Sequence, residues 1–306
     1  MAVAAGAAAV ASPQLRHAPE QLLEACTGWA TVAVVFEALS ITGFVLIFKL
    51  AFAGGMGWRA SLVGALRGLG ASGLLPAGGL IGPAAAASSV SPDEATDRVG
   101  RSAVAFVIVT NVPGVVAVVA LGVGLALHAG SGPHDALRTL VPAAIGLSLV
   151  LLTAVLARAS GHPASPQHAS RRWWPNATST VRGGASDACS LLRSSDWKLV
   201  GALAYYVFDN ALLWAAFRAS GHAPPVSVVA MGYVVGSLGS AIPIPGGFGA
   251  TEGGLIGALV LYGAPPGPAA AAVLLYRGIT LLFPTLLGAL AWVSSSSHRH
   301  QRHRAR

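Results

Sequence analysis

The run Ala103–Leu127, "AVAFVIVTNVPGVVAVVALGVGLAL", holds 25 residues without one charge. As a helix it is about 37 Å long, enough to cross a hydrocarbon core of about 30 Å. A water-soluble domain spreads charged side chains through every element, and this chain does not. Similar apolar windows recur near 28–54, 136–157, 198–220 and 269–293. With 54% hydrophobic and only 10% charged residues, the surface cannot be mostly wet. The expected fold class is all-α: a polytopic integral membrane protein with about seven to nine hydrophobic segments, since a spanning segment must satisfy its own backbone.

The distribution of charge predicts topology. Between Arg158 and Lys198, six basic residues face Asp187 and Asp196, leaving +4, and Arg299, Arg302, Arg304 and Arg306 add another +4. These two regions account for the whole net charge of +8, so both are expected on the cytoplasmic side of a cell membrane. The organisation expected is an N-terminal tail (1–27), a first membrane half with a connecting helix (28–158), a polar basic linker (159–197), a second membrane half (198–293) and a basic tail (294–306). The start "MAVAAGAAAVASPQLRH" lacks the basic region that opens a secretory signal and is kept as tail. The linker, rich in Ser, Pro and Arg, reads as an exposed loop. Cys26 and Cys189 stand far apart, with no disulfide framework and no metal-ligand spacing. No metal and no cofactor is expected.

Within each half a long element precedes a short pair and a second long element: 28–54, 60–75, 77–90 and 102–130, then 198–220, 226–242, 248–262 and 269–293. "VVFEAL" (Val34–Leu39) matches "YVFDNAL" (Tyr206–Leu212), and "LLPAGGLIG" (Leu74–Gly82) matches "IPIPGGFG" (Ile242–Gly249). The extra helix at 136–157 makes the spacer odd, so the second half is expected to be an inverted copy of the first, with the N-terminus opposite the linker. Interrupted segments at matching places in inverted halves point to a binding site near the midplane.

"GSAIPIPGGFGATEGG" (Gly239–Gly254) is the strongest candidate for that site. A Pro/Gly-broken backbone at membrane depth survives only buried in protein or lining a polar cavity. Pro243 and Pro245 end one short helix, while Gly246, Gly247 and Gly249 allow a tight turn into the next. The new helix then begins inside the membrane, and its free N–H groups suit an anion such as a phosphate head group. Gly78 and Gly79 offer a similar end from the first half. If the short pair is re-entrant, Glu252 lies about 15 Å and Arg277 about 12 Å from the same surface, and Asp209 lies about 16 Å from the other. These groups can meet near the midplane, with Tyr276, Asn210 and Tyr205 as polar neighbours. Intramembrane ionisable groups pair or face wet cavities, so Glu252 and Arg277 are either substrate-binding or a buried pair that locks the fold. Asn111 and Pro113 mark an ordinary kink.

"IPIPGGFGATEGGLIGALVLYG" followed by "AAAAVLLYRGITLLFPTLLGALAWV" resembles the lysylphosphatidylglycerol synthetase membrane-region family, whose pattern is Pro-x-Pro-Gly-Gly-x-Gly-x-x-Glu, then an Ala-rich helix with Tyr-Arg and a later Pro. Pro243, Pro245, Gly246, Gly247, Gly249, Glu252, Tyr276, Arg277 and Pro284 are the matching positions. The resemblance covers roughly 200–293 well; the first half carries "GLLPAGGLIGPAA" where many members have a Pro-x-Arg-x-Gly-Glu stretch. It implies a lipid-handling membrane domain, associated in two-part members with translocation of aminoacylated phosphatidylglycerol made by a separate cytosolic domain. The 159–196 linker is too short and polar to be that domain. No aminoacyl transfer activity is expected, and no nucleotide-driven pumping, since no phosphate-cradling Walker motif is present. The expected function is translocation or binding of an anionic or lipid-linked substrate, with membrane lipids as partners and no nucleic acid. Two other classes fit the same residues: an anion or ion transporter or channel, and a structural membrane partner of a lipid- or glycan-modifying enzyme.

Overall fold

The computed structural model describes residues 27–52, 57–74, 96–159, 173–222, 224–237 and 250–304. Their regular structure is helical, as the absence of water requires: α1 (Thr27–Phe52), α2 (Trp58–Leu74), α3 (Thr96–Ala126), α4 (Ala136–Ala159), α5 (Trp173–Arg193), a 3-10 turn (Trp197–Leu199), α6 (Val200–Ala219), α7 (Val226–Ser237), α8 (Ala250–Leu261) and α9 (Pro266–Arg304). Among the described residues, α1, α3, α4, α6 with its leading turn, and α9 are long and apolar enough to cross a membrane. The chain is therefore a multi-pass membrane protein of the all-α class.

The two halves meet along α1 and α6, which run antiparallel. Trp29 meets Trp214 edge to face at 5.6 Å, Phe36 stacks on Phe208 at 6.1 Å, and the Ser40 hydroxyl donates to the Tyr205 carbonyl at 3.4 Å. Further along, Gly43 crosses Gly201 so closely that a Cβ on either would lie 2.6 Å from the other's carbonyl oxygen. Small residues at such a crossing let two backbones approach where no hydrophobic force drives helices together in lipid. Phe36 and Phe208 occupy the same place in the two matching motifs, so the contact lies on the pseudo-two-fold axis relating the halves. Other packing obeys the same exchange: α1 on α3 mirrors α6 on α9, α3 on α6 mirrors α9 on α1, and α3 on α7 mirrors α9 on α2. The second half is an inverted counterpart of the first.

At 12 residues each, α7 and α8 rise only about 18 Å and fall short of spanning. They pack antiparallel, Gly232 against Leu259 and Gly236 against Leu255. Both outer ends sit at the level of the α3–α4 connection: the Ser227 hydroxyl donates to the Ser131 carbonyl, and the Tyr262 hydroxyl to the Arg138 carbonyl at 2.7 Å. The pair enters and leaves by one face and is re-entrant. The first-half motif, with Gly78 and Gly79, and the 77–90 element lie outside the described residues, as do Pro243, Pro245, Gly246, Gly247 and Gly249.

Two differences from the sequence expectation stand out. Residues 173–193, expected as loop, form α5, which lays Ala185 and Ala188 against its neighbours α3 and α4. Its Ser, Thr and Gly content looks loop-like, yet no proline follows Pro175, and Arg101 ties the helix down through Asp187 at 2.7 and 3.1 Å. Similarly, α9 continues to Arg304 rather than ending near 293, since neither Pro nor Gly interrupts its Ser-, His- and Arg-rich end.

Two outcomes test this architecture. Leucine at Gly43 should destabilise the detergent-solubilised protein by about 1–3 kcal/mol or more through overpacking, while G57A, where a Cβ meets nothing within 4 Å, should leave thermal melting unchanged. With both native cysteines replaced by serine, single cysteines at Gly28 and Ser194 should react with an impermeant maleimide from opposite sides of sealed vesicles. Labelling from one side would rule out the inverted arrangement.

Candidate functional site

The helix α8 begins at Ala250, inside the membrane, with Glu252 in its first turn. An acid there meets the positive end of the helix dipole, worth about half a unit charge. Glu252 also accepts a hydrogen bond from Arg277 Nε of α9 at 2.7 Å. From Leu261 and Pro266, the outer ends of their helices, the two residues lie about 14 and 16 Å deep; Glu252 is close to its expected 15 Å, and Arg277 is deeper than the expected 12 Å because α9 begins at Pro266 rather than Ala269. The Glu252 side chain keeps 14% exposure and that of Arg277 20%, so this pair faces a partly open space rather than a dry core. Among the described residues Nε carries the only side-chain hydrogen bond of Arg277; its two terminal amino groups, four of its five N–H donors, engage no protein group.

One residue earlier on α9, Tyr276 points the other way. Its hydroxyl donates to Asp209 Oδ2 of α6 at 2.9 Å, and the Tyr233 hydroxyl of α7 donates to the same oxygen. Asp209, with 4% exposure, is held by two phenols, and Arg277 lies within electrostatic reach of it. The rings of Tyr206, Tyr233 and Tyr276 stand edge to face at 6.0 and 6.4 Å and wall off the carboxylate. Facing Asp209 across the pseudo-two-fold axis is Glu37 of α1, also 4% exposed and in electrostatic contact with Asp209 and Tyr205. Five helices thus place two acids, two phenols and one ion pair around the midplane.

Of the predicted site residues, Glu252, Arg277, Asp209 and Tyr276 come together. Asn210 does not join them by a hydrogen bond: its amide donates to the Tyr206 carbonyl one turn back at 2.9 Å. Asn111 behaves likewise on Val107 at 2.8 Å, and Pro113 sits inside α3 beside Gly114, which packs against the Tyr206 ring. Pro243, Pro245, Gly246, Gly247, Gly249, Gly78 and Gly79 are outside the described residues. Tyr233 was missed, and Glu37 was seen only as half of a repeat. The available signal was a lone phenol in the otherwise apolar α7, and an acid in the middle of a 26-residue spanning helix.

Removing either member of the Glu252–Arg277 pair strands its partner at depth, so E252Q and R277Q should each destabilise by about 1–3 kcal/mol, the residual exposure keeping the loss below that of a dry pair. The double variant should lose less than the two singles together. Additive losses in thermal melts would mean that the two side chains do not interact.

Residues 1–288 match the family described as lysylphosphatidylglycerol synthase TM region. Because that match runs through the first half as well, the family likeness is not confined to 200–293. The chain is also 32% identical over 100 residues to UPF0104 membrane protein MJ1595 of Methanocaldococcus jannaschii. That alignment takes in 31% of this chain and 30% of the relative, well under two thirds of its length. With most of its length matched by the family, the chain belongs to the lysylphosphatidylglycerol synthase TM region family.

Proposed function

We propose that this member of the lysylphosphatidylglycerol synthase TM region family binds an anionic, lipid-linked head group at the midplane cluster and carries it across the bilayer. The observation behind this reading is Arg277, a guanidinium at membrane depth whose terminal amino groups engage no protein partner among the described residues, beside a helix that starts at the same depth. Charged groups in that position are costly and mark substrate pathways. A planar guanidinium suits phosphate because it can offer two parallel donors.

In the proposed mechanism the phosphate takes the terminal amino groups of Arg277 and the first N–H groups of α8. Glu252 is the displaceable counter-ion that holds Arg277 between substrates. Asp209, anchored by Tyr276 and Tyr233, holds the Tyr276–Arg277 turn of α9 in register, with Asn210 at its edge. Pro243, Pro245, Gly246, Gly247 and Gly249 precede α8 directly and are the proposed backbone contacts, with Gly78 and Gly79 as their first-half counterparts. Inverted halves around such a site suit alternating access by rocking of one half against the other. The proposal includes no enzymatic step and no cofactor. It places the chain in the cell membrane with 159–197 and the basic tail cytoplasmic, following the positive-inside rule.

The test uses liposomes containing purified protein and head-group-labelled phosphatidylglycerol, with a membrane-impermeant quencher added outside. Wild type should lose the protected inner-leaflet signal, while folded E252Q and R277Q should keep about the half expected of a sealed bilayer. If wild type also stays half protected, scrambling of phosphatidylglycerol is wrong. Anion conductance in planar bilayers under the same conditions would then favour a transporter or channel built on the same helix end. Loss of cellular function without either activity would favour a structural partner.

A further inference from the structure

A second site lies away from the midplane, where α4 and α5 end together. A cavity of about 440 Å3 opens there, lined by Arg158, Ser186, Cys189, Ser190, Arg193 and Ser194 among others. That size falls within the range of about 300–1,000 Å3 typical of small-molecule pockets. Arg158 closes the last turn of α4 and Arg193 the last turn of α5. Among the described residues, Asp187 and Asp196 beside the cavity are already engaged. Asp187 is held by Arg101 at 2.7 Å, and Asp196 by Lys198 at 2.6 Å, whose side-chain hydrogen bond keeps the Asp196 carboxyl below the usual carboxylate range. Among the described residues neither Arg158 nor Arg193 has an ion-pair or hydrogen-bond partner.

Helix C-termini favour cations, which explains why arginines stand there. Two such ends contribute about −0.5 charge each, so two guanidiniums still leave the rim near +1. The Ser186 and Ser190 hydroxyls add neutral donors beside that charge, while the Ser194 hydroxyl is given to the Leu191 carbonyl at 2.6 Å. Position then selects the ligand. Along α4, Leu147, Leu151 and Val155 are more than half exposed, so the helix flanking this cavity turns an apolar face to lipid. On the same face Lys49 sits 4.8 Å over the Trp58 ring, which lies 6.3 Å from Trp197, both indoles being exposed. Tryptophans so placed mark the head-group level.

We propose that the cavity between the ends of α4 and α5 binds the phosphate of an anionic phospholipid, with Arg158 and Arg193 as its charged contacts and the acyl chains along α4. The site is separate from the midplane cluster and does not depend on the transport reading. Any free phosphate shares the head-group chemistry but lacks the apolar half that α4 meets.

Cys189 in the lining supplies the readout. In a C26S background, an uncharged maleimide should label Cys189 more slowly in vesicles of phosphatidylcholine plus phosphatidylglycerol than in phosphatidylcholine alone. For each arginine removed, in R158Q and R193Q, the phosphatidylglycerol fraction giving half protection should rise about fivefold. R158K/R193K should restore most of the protection. R182Q removes an exposed charge elsewhere on α5 and should leave it unchanged, which separates the site from bulk surface potential. The proposal is overturned if wild type and R158Q/R193Q label alike at every lipid composition. Equal protection by inorganic phosphate in pure phosphatidylcholine would overturn the lipid assignment and leave a free-phosphate site. Thermal melting of each variant excludes unfolding as the cause.

Discussion

The antiparallel crossing of α1 and α6 joins the two halves almost backbone to backbone, and the remaining architecture depends on it. In lipid, two apolar helices gain nothing by hiding from their surroundings, so association must come from packing and polar contacts. Glycines at Gly43 and Gly201 permit near backbone contact, and Phe36 on Phe208 fixes the rotation of one helix about the other. That rotation has a chemical result. The residue after each phenylalanine is an acid, so a crossing centred on the phenylalanines brings Glu37 and Asp209 to the same level.

Two buried acids at that level raise the cost of the arrangement, and the second half contains what offsets it. Asp209 receives two phenol hydrogen bonds and the field of Arg277. Arg277 is in turn held by Glu252, and Glu252 sits on the positive end of α8. The partners come from four helices, with Tyr276 and Arg277 both on α9, so the cluster forms only when the re-entrant pair, α6 and α9 have docked. A helix starting at the midplane is itself tolerable only in such company, because its first N–H groups have no water to meet. The ion pair and the broken helix are thus parts of one solution.

Much of this was legible in the sequence, for reasons that differ by residue. The spans were readable because 25 uncharged residues admit one solution in a membrane. The Glu252–Arg277 meeting was readable because depth along a helix is simple arithmetic and buried charges seek partners. Tyr233 was not, since one phenol among apolar residues also suits a membrane interface, and only three-dimensional packing brings it to Asp209. Asn210 spends its amide locally, because an amide within a helix competes well for the carbonyl four residues back. The α5 helix was hidden by composition, because Ser, Gly and Arg signal loop unless a neighbouring helix supplies the packing.

The symmetry of the backbone is not matched by symmetry of chemistry. Tyr276 and Arg277 on α9 correspond, at the offsets of the two matching motifs, to the apolar stretch Val104–Val109 on α3. Around the position matching Glu252 the first half carries "GPAAAA" at 82–87, and there is no acid in that stretch. Only the acid after Phe36 has a counterpart. The polar apparatus is therefore concentrated in one half, while the other contributes a scaffold and Glu37. If the halves move against each other, the ion pair travels with α8 and α9, and Glu37 on α1 is the charged group the cluster moves relative to. A rocking motion then changes the distance between Arg277 and Glu37 more than any distance within the second half. On the proposed transport reading, that change is the differential interaction a two-state transporter needs and a symmetric pair of identical sites would lack.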